Sequence, residues 1–297
     1  MNHIKDQIRC GAAYRLGLTG KGIGVAVLDT GIFLHRDFDS RVTGFADMVN
    51  GKNFAYDDCG HGTHICGIIG GSGRMSGGRY SGIAPGCDLV MVKVLDRKGN
   101  GYSSDVLAGI SWILERKEKL GIRILNISVG ACSKRGMSEN SALVKGVNRA
   151  WDAGLVVVVA AGNTGPRTMS ITTPGISRKV ITVGCSDDDR EVLVGGNRMV
   201  DYSGRGPTAA CICKPDLVAP GCSVVSCAGR ADKYTIKSGT SMSTPIVSGA
   251  TALLLERYPD MTNKDVKLKL RESCTDIGLP RNQQGWGLLD VERLVSK

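Results

Sequence analysis

Four short segments of this 297-residue chain carry side chains able to do chemistry. In Val25-Ala-Val-Leu-Asp29-Thr-Gly31, an apolar run ends in a carboxylate and then a glycine turn. Such an aspartate can ligate a metal, hold a ribose, orient a base or cap a strand. In Gly60-His61-Gly-Thr-His64-Ile-Cys66-Gly67, the small and apolar residues after His61 predict that a helix starts there. Histidine titrates near neutrality and suits proton transfer. Cys59, His61, His64 and Cys66 also read C-x-H-x-x-H-x-C, four residues of zinc-ligand type, although the spacing matches no common structural zinc pattern. Val159-Ala-Ala-Gly162-Asn163 ends a buried strand in Gly-Asn, either ordinary turn chemistry or a neutral amide donor for a developing oxyanion. Ser238-Gly-Thr-Ser241-Met-Ser-Thr-Pro245 precedes Ile246, Val247, Ala250, Leu253 and Leu254 at helical spacing. Proline fits the first helical turn, so Ser241 is predicted at or just before a helix N-terminus. It is there either an N-cap or a nucleophile beneath free N–H groups and the positive end of the dipole.

The four segments gain meaning jointly. Serine is a weak nucleophile that needs a base within ~3 Å. Histidine is the base suited to neutral pH, and a buried carboxylate fixes its tautomer and stabilises the imidazolium. The chain supplies Asp29, His61, Asn163 and Ser241 in that order, each at a strand end or helix start.

The elements that must position them are also legible. Val25–Leu28, Leu89–Leu95, Ile124–Val129, Leu155–Ala161 and Lys179–Val183 are nearly continuous apolar runs, as in strands buried on both faces. Asp105–Leu120 places Val106, Leu107, Ile110, Ile113 and Leu114 on one helical face, and Asn140–Ala153 does the same with Leu143, Val144, Val147 and Trp151. Alternating strands and helices predict an α/β fold with a mostly parallel central sheet flanked by helices on both sides. Ligands then sit beyond the carboxyl ends of the strands.

Composition excludes several classes. The longest apolar run, Leu155–Ala161, is far short of the ~20 residues of a membrane span. Glycine, at 41 residues, is roughly twice average usage, which implies many tight turns. The net charge of +10 comes without a nucleic-acid recognition motif, so no nucleic-acid partner is expected. Its densest cluster, Arg116, Lys117, Lys119 and Arg123, ends a predicted helix and complements the dipole. Residues 1–20 lack the apolar core of a secretory signal, and most of the eleven cysteines lie in apolar segments. Reduced thiols and a cytoplasmic location follow as the expectation, with secretion the alternative if a leader had been removed. No linker splits the chain, so one domain over 1–297 is expected, with 1–18 as an N-terminal extension.

The motifs resemble those of subtilases, the subtilisin-like serine endopeptidases. Val27-Leu-Asp-Thr-Gly31, His61-Gly-Thr-His64, Ala160-Ala-Gly-Asn163 and Gly239-Thr-Ser-Met-Ser-Thr-Pro245 match the family's Asp, His, oxyanion and Ser motifs, and Lys214-Pro-Asp-Leu-Val-Ala-Pro-Gly221 matches a further segment. The resemblance runs from about Thr19 to Asp290 and is greatest to the leaderless cytoplasmic subtilases of Gram-positive bacteria. It implies a three-layer subtilisin-like sandwich that cleaves polypeptides with broad specificity biased toward apolar or unbranched side chains, with no cofactor in the chemistry. By the resemblance, Ser241 attacks, His61 moves the proton, Asp29 orients His61, and the Asn163 amide and Ser241 N–H hold the oxyanion. A substrate strand would lie between Gly99-Asn100-Gly101 and Ser128-Val129-Gly130, with Ala160 and Gly162 also lining the cleft and Gly130 leaving room for the side chain before the scissile bond. A substrate-binding protein that has kept the fold without the activity, and a zinc protein built on Cys59, His61, His64 and Cys66, are the rivals. A Gly-x-Ser-x-Gly esterase elbow is absent.

Three departures from the family are visible. Asp37 matches one ligand of a structural calcium, but the loop Gly71-Ser-Gly-Arg-Met-Ser-Gly-Gly-Arg-Tyr80 offers no carboxylate or amide and carries two arginines, so calcium there is not expected. Secreted relatives fold with a long pro-region, whereas 28 residues precede Asp29 here, so the chain either folds unaided or has such a region outside this sequence. Gly204 stands where relatives often carry serine.

Overall fold

The computed structural model describes residues 1–130 and 139–296. The helices are α1 (Asn2–Gln7), α2 (Gly11–Arg15), α3 (His61–Gly70), α4 (Ser103–Arg116), α5 (Ala142–Asp152), α6 (Thr240–Arg257), α7 (Asn263–Ser273), α8 (Arg281–Gln284) and α9 (Val291–Val295). The strands are β1 (Gly24–Asp29), β2 (Val42–Asp47), β3 (Asp88–Lys93), β4 (Ile122–Ile127), β5 (Val156–Ala160), β6 (Ile181–Cys185), β7 (Val192–Val194), β8 (Asn197–Met199), β9 (Leu217–Ala219), β10 (Val224–Cys227) and β11 (Tyr234–Lys237). Seven strands form one sheet in the order β2-β3-β1-β4-β5-β6-β9, every pair parallel. Two antiparallel hairpins, β7–β8 and β10–β11, stand outside it.

The five apolar runs are the five inner strands of this sheet. Alternate side chains face opposite layers. Leu28 and Val92 meet α4 at Gly109, and Met91 meets α3 at Gly62. On one side α6 crosses β4, β5, β6 and β9 beside α3, while α4 and α5 pack together over β1 and β5. This is the expected α/β sandwich.

Helix α6 is buried nearly all round, so its polar residues must be satisfied locally. Thr244 Oγ1 donates to Thr240 O at 2.8 Å, Thr251 Oγ1 to Val247 O at 2.8 Å, and Ser248 Oγ to Asn126 Oδ1 at 2.9 Å. Pro245 corrects the sequence expectation. It is the sixth residue of the helix, past the first turn. Its missing N–H leaves the carbonyl of Ser241 without the usual intrahelical donor. The edge strands β2 and β9 were not legible, because one is half-exposed and interrupted by Gly44 and the other is three residues long. Residues 1–18 are no loose extension. Ile4, Ile8, Cys10 and Ala13 join the same buried cluster as the sheet, and Val291 N donates to Ile8 O at 2.8 Å.

Candidate functional site

Asp29 ends the inner strand β1 and is fully buried. One carboxylate oxygen accepts from Thr30 N at 2.8 Å and from His61 Nδ1 at 2.7 Å. The other is buried without a partner among the described residues. A carboxylate accepts, so the proton sits on His61 Nδ1 and Nε2 keeps its lone pair. His61 is the first residue of α3 and is about a fifth exposed.

The helix start is held from outside, because the N-cap position is Gly60 in a left-handed conformation with no side chain to offer. Asp57 takes over. Its Oδ2 accepts from Thr63 N at 3.0 Å and Thr63 Oγ1 at 2.5 Å, and its Oδ1 from Gly60 N at 2.7 Å and Thr30 Oγ1 at 3.0 Å. Thr30 Oγ1 in turn receives Gly62 N at 2.9 Å. A second tie is Lys93, at the end of β3 and fully buried. Its ammonium donates to Thr30 O at 2.6 Å, Leu95 O at 2.8 Å and Asp58 Oδ1 at 2.7 Å. Neither Asp57 nor Lys93 was singled out from sequence. An Asp-Asp pair just before a helix that lacks an N-cap side chain is the signal that marks Asp57.

Ser241 is the second residue of α6, where a backbone N–H has no intrahelical acceptor. Its hydroxyl donates to Ser128 O at 2.6 Å. Ser128 follows β4, and Asn126 Nδ2 donates to its hydroxyl at 2.9 Å. Asn163, just past β5, accepts at Oδ1 from Thr240 N and Thr240 Oγ1, both at 3.0 Å. This fixes the amide by its oxygen and leaves Nδ2 the free donor, 3.2 Å from where a Cβ on Gly239 would lie.

His61, Asn163 and Ser241 line one cavity of about 480 Å³ together with Gly99, Ser128, Val129, Gly130, Ala160 and Gly162. A second hollow of about 230 Å³ adjoins it along Gly99, Asn100, Gly101, Val129 and Gly130, closed by apolar Val106, Ile127 and Leu143. The structure thus brings the sequence-derived residues to one rim, at the carboxyl ends of β1, β4 and β5. The two glycines of the wall have a shared reason. A Cβ on Gly130 would lie 2.3 Å from Thr172 Oγ1, and one on Gly162 would lie 2.4 Å from Thr172 Cγ2. Thr172 occupies the space that Gly130 opens and itself forms part of the cleft wall.

The C-x-H-x-x-H-x-C reading is corrected. His64 is fully buried and points away from His61, its Nε2 lying 3.1 Å from Val224 O and 3.2 Å from Thr235 O. Burial holds its imidazole neutral, lowering its pKa to about 3, with the Lys237 charge acting the same way. Cys66 is buried and Cys59 exposed. Among the described residues these four form no group of donors around a common point. Asp37 is also committed elsewhere, with Oδ1 accepting from Met75 N at 2.9 Å and Oδ2 from Tyr234 OH at 2.7 Å.

A parallel sheet with a carboxylate, an imidazole and a helix-borne serine at one rim defines a serine hydrolase architecture, and comparison with known proteins gives the family. Residues 20–287 match the subtilase family, and the chain belongs to it. It is 42% identical to the serine protease AprX of Bacillus subtilis (strain 168), over 99% of this chain and 70% of that protein. It is 34% identical to subtilisin BL of Lederbergia lenta, over 97% of this chain and 96% of the relative. Sphericase superposes with a TM-score of 0.77 at 31% identity, covering 92% of this chain and 93% of its own. A cold-adapted subtilisin-like serine proteinase superposes with a TM-score of 0.75 at 29% identity. The chain is accordingly a serine endopeptidase with the subtilisin-like fold. Among the described residues no helix is long and apolar enough to cross a membrane.

Proposed function

We propose that the chain cleaves polypeptides through Asp29, His61 and Ser241, with the oxyanion held by the Asn163 amide and the Ser241 N–H. The observation that carries this is the 2.7 Å bond from His61 Nδ1 to a buried Asp29, with Nε2 left to face a cavity shared with Ser241. The Ser241 hydroxyl rests on the Ser128 carbonyl, and that carbonyl belongs to an edge an extended substrate would pair with. A substrate N–H that takes over Ser128 O releases the hydroxyl to turn to His61. His61 then accepts the proton as Ser241 Oγ bonds to the scissile carbonyl carbon, and passes it to the leaving amine. Water repeats the cycle on the acyl-enzyme. Because the cleft walls are largely glycine and backbone, recognition rests on main-chain bonds, which supports broad specificity. The adjoining apolar hollow favours apolar side chains.

No cofactor enters these steps. The Asp37 surroundings do not suit calcium, since both carboxylate oxygens are taken and residues 71–80 bring no further carboxylate. We take residues 1–297 as one unit acting on polypeptides, without nucleic-acid or membrane partners, in the cytoplasm. The test is casein cleavage and labelling by a serine-directed phosphonylating probe. Ser241→Ala should lose labelling and at least ~10⁴-fold in kcat, and Asn163→Ala about 10²–10³-fold with KM little changed. Full labelling of Ser241→Ala would overturn the assignment.

A further inference from the structure

Away from the cleft, two buried thiols face a carboxylate and a phenol. Cys185 ends β6, and Cys222 follows β9; they are 1% and 7% exposed. Cys185 Sγ lies 3.1 Å from Asp187 Oδ1 and 3.2 Å from Tyr202 OH, and Tyr202 OH lies 3.1 Å from Cys222 Sγ. The ligand atoms of Cys185, Asp187 and Cys222 all fall within 4.8 Å of one another. The frame is fixed. Asp187 Oδ1 accepts from Gly221 N at 2.7 Å and Cys222 N at 3.2 Å, and Cys222 Sγ donates to Asp187 O at 2.7 Å. Two neighbouring hydroxyls, Ser186 Oγ and Ser243 Oγ, are buried with no partner among the described residues. Ser243 Oγ and Cys185 Sγ converge on Gly221, where an added Cβ would stand 2.4 and 2.8 Å from them.

We propose that Cys185, Cys222 and Asp187 bind one thiophilic divalent cation, with zinc the best match. Two sulfurs and a carboxylate oxygen form a borderline-soft set of three, with water for the fourth position, whereas calcium needs six to eight oxygens. Ligands at ~2.3 Å for sulfur and ~2.0 Å for oxygen stand about 3.5–3.8 Å apart in a tetrahedron, so the present contacts open by roughly 0.4 Å to admit the ion. On binding, both thiols lose their protons to the buffer, two per ion, and the thiolates bond to the metal, while the phenol of Tyr202 stays protonated beside them as a hydrogen-bond donor. Asp187 is half-exposed and gives the way in. The bound ion ties β6 to the segment after β9, against the Ser243 side of α6. The other buried donor group, His35, Asp37 and Cys227, is not such a site. Both imidazole nitrogens of His35 are engaged, Nδ1 by Asp37 N at 3.1 Å and Nε2 with Lys233 O at 3.1 Å.

The proposal does not rest on the catalytic assignment, so its test uses the full chain with Ser241→Ala to prevent self-cleavage. The thiols exposed among the described residues are removed with Cys59→Ser, Cys211→Ser and Cys213→Ser. Metal-free protein, reduced with a phosphine, is titrated with zinc against a chromophoric chelator. One equivalent should bind, with at least ~10-fold weaker binding in Cys185→Ala, Cys222→Ala and Asp187→Asn. Zinc should raise the melting temperature of the parent and not of the cysteine variants. If a variant fails to fold, cobalt in the parent decides. Intense thiolate-to-cobalt charge transfer supports the site, and its absence overturns the proposal, as does undiminished zinc binding in folded Cys185→Ala and Cys222→Ala.

Discussion

Asp57 does from outside the helix what no side chain at Gly60 can do from within it. One carboxylate serves the N–H of Gly60 and Thr63 and the hydroxyls of Thr30 and Thr63, so the ring of His61 inherits its position from a residue that never faces the cavity it shares with Ser241. Asp57→Ala should therefore lower kcat by about 10–100-fold with little change in KM. It should also lower stability by about 1–2 kcal/mol, as loss of a helix cap does, read by urea unfolding in the Ser241→Ala background. Cys59 adjoins the same ring and lines the cavity. It is exposed, whereas Cys66 lies fully buried on the far side of the helix start. An organomercurial that bonds sulfur directly should inhibit the wild type and Cys66→Ser alike and leave Cys59→Ser active. Equal inhibition of all three would place the reactive thiol elsewhere.

At the scale of elements, α3 is docked onto the β10–β11 hairpin through His64, whose neutral ring spans two backbone carbonyls while Ser226 Oγ donates to His64 O at 2.9 Å. The native pKa of about 3 lies below the ordinary value of 6.5. Between these values the unfolded chain binds a proton that the native state refuses, so stability falls as pH drops through this window, by on the order of 1 kcal/mol per pH unit at most. Melting curves of the Ser241→Ala protein from pH 7 to pH 4 should show that slope, and His64→Gln should flatten it. This docking marks the limit of what the sequence discloses. The inner strands and Asp29, His61, Asn163 and Ser241 were legible because burial on two faces leaves continuous apolar runs and because catalytic residue types sit at their ends. Lys93, Asn126 and Thr172 were not, because each meets a group remote in sequence, Thr30, Ser248 and Gly130, whereas Asp57 carries its signal locally, beside Gly60 and Thr63. His64 was open to a rival metal-ligand reading because nothing local shows that its partners are carbonyls more than 150 residues away. Pro245 was placed a turn early because its fit to a first turn is a preference that tertiary burial of α6 overrides.

At the scale of the molecule, the segment 1–18 and α9 form a clasp. Arg9 pairs with Asp290 and Glu292, Val291 N reaches Ile8 O, and α2 packs on α9. Ile4 and Ile8 are fully buried, worth about 1.5–3 kcal/mol each, so removing residues 1–18 should lower the melting temperature by roughly 5–10 °C. A shift below a few degrees in scanning calorimetry would show that the family domain, residues 20–287, is sealed without them. The clasp has a further meaning for an endopeptidase, since every neighbouring copy is an attacker. Frayed ends are the first sites of nicking in any population of proteolytic molecules. Here the two segments that flank residues 20–287 are locked to one another, so neither is pulled open without loosening the other.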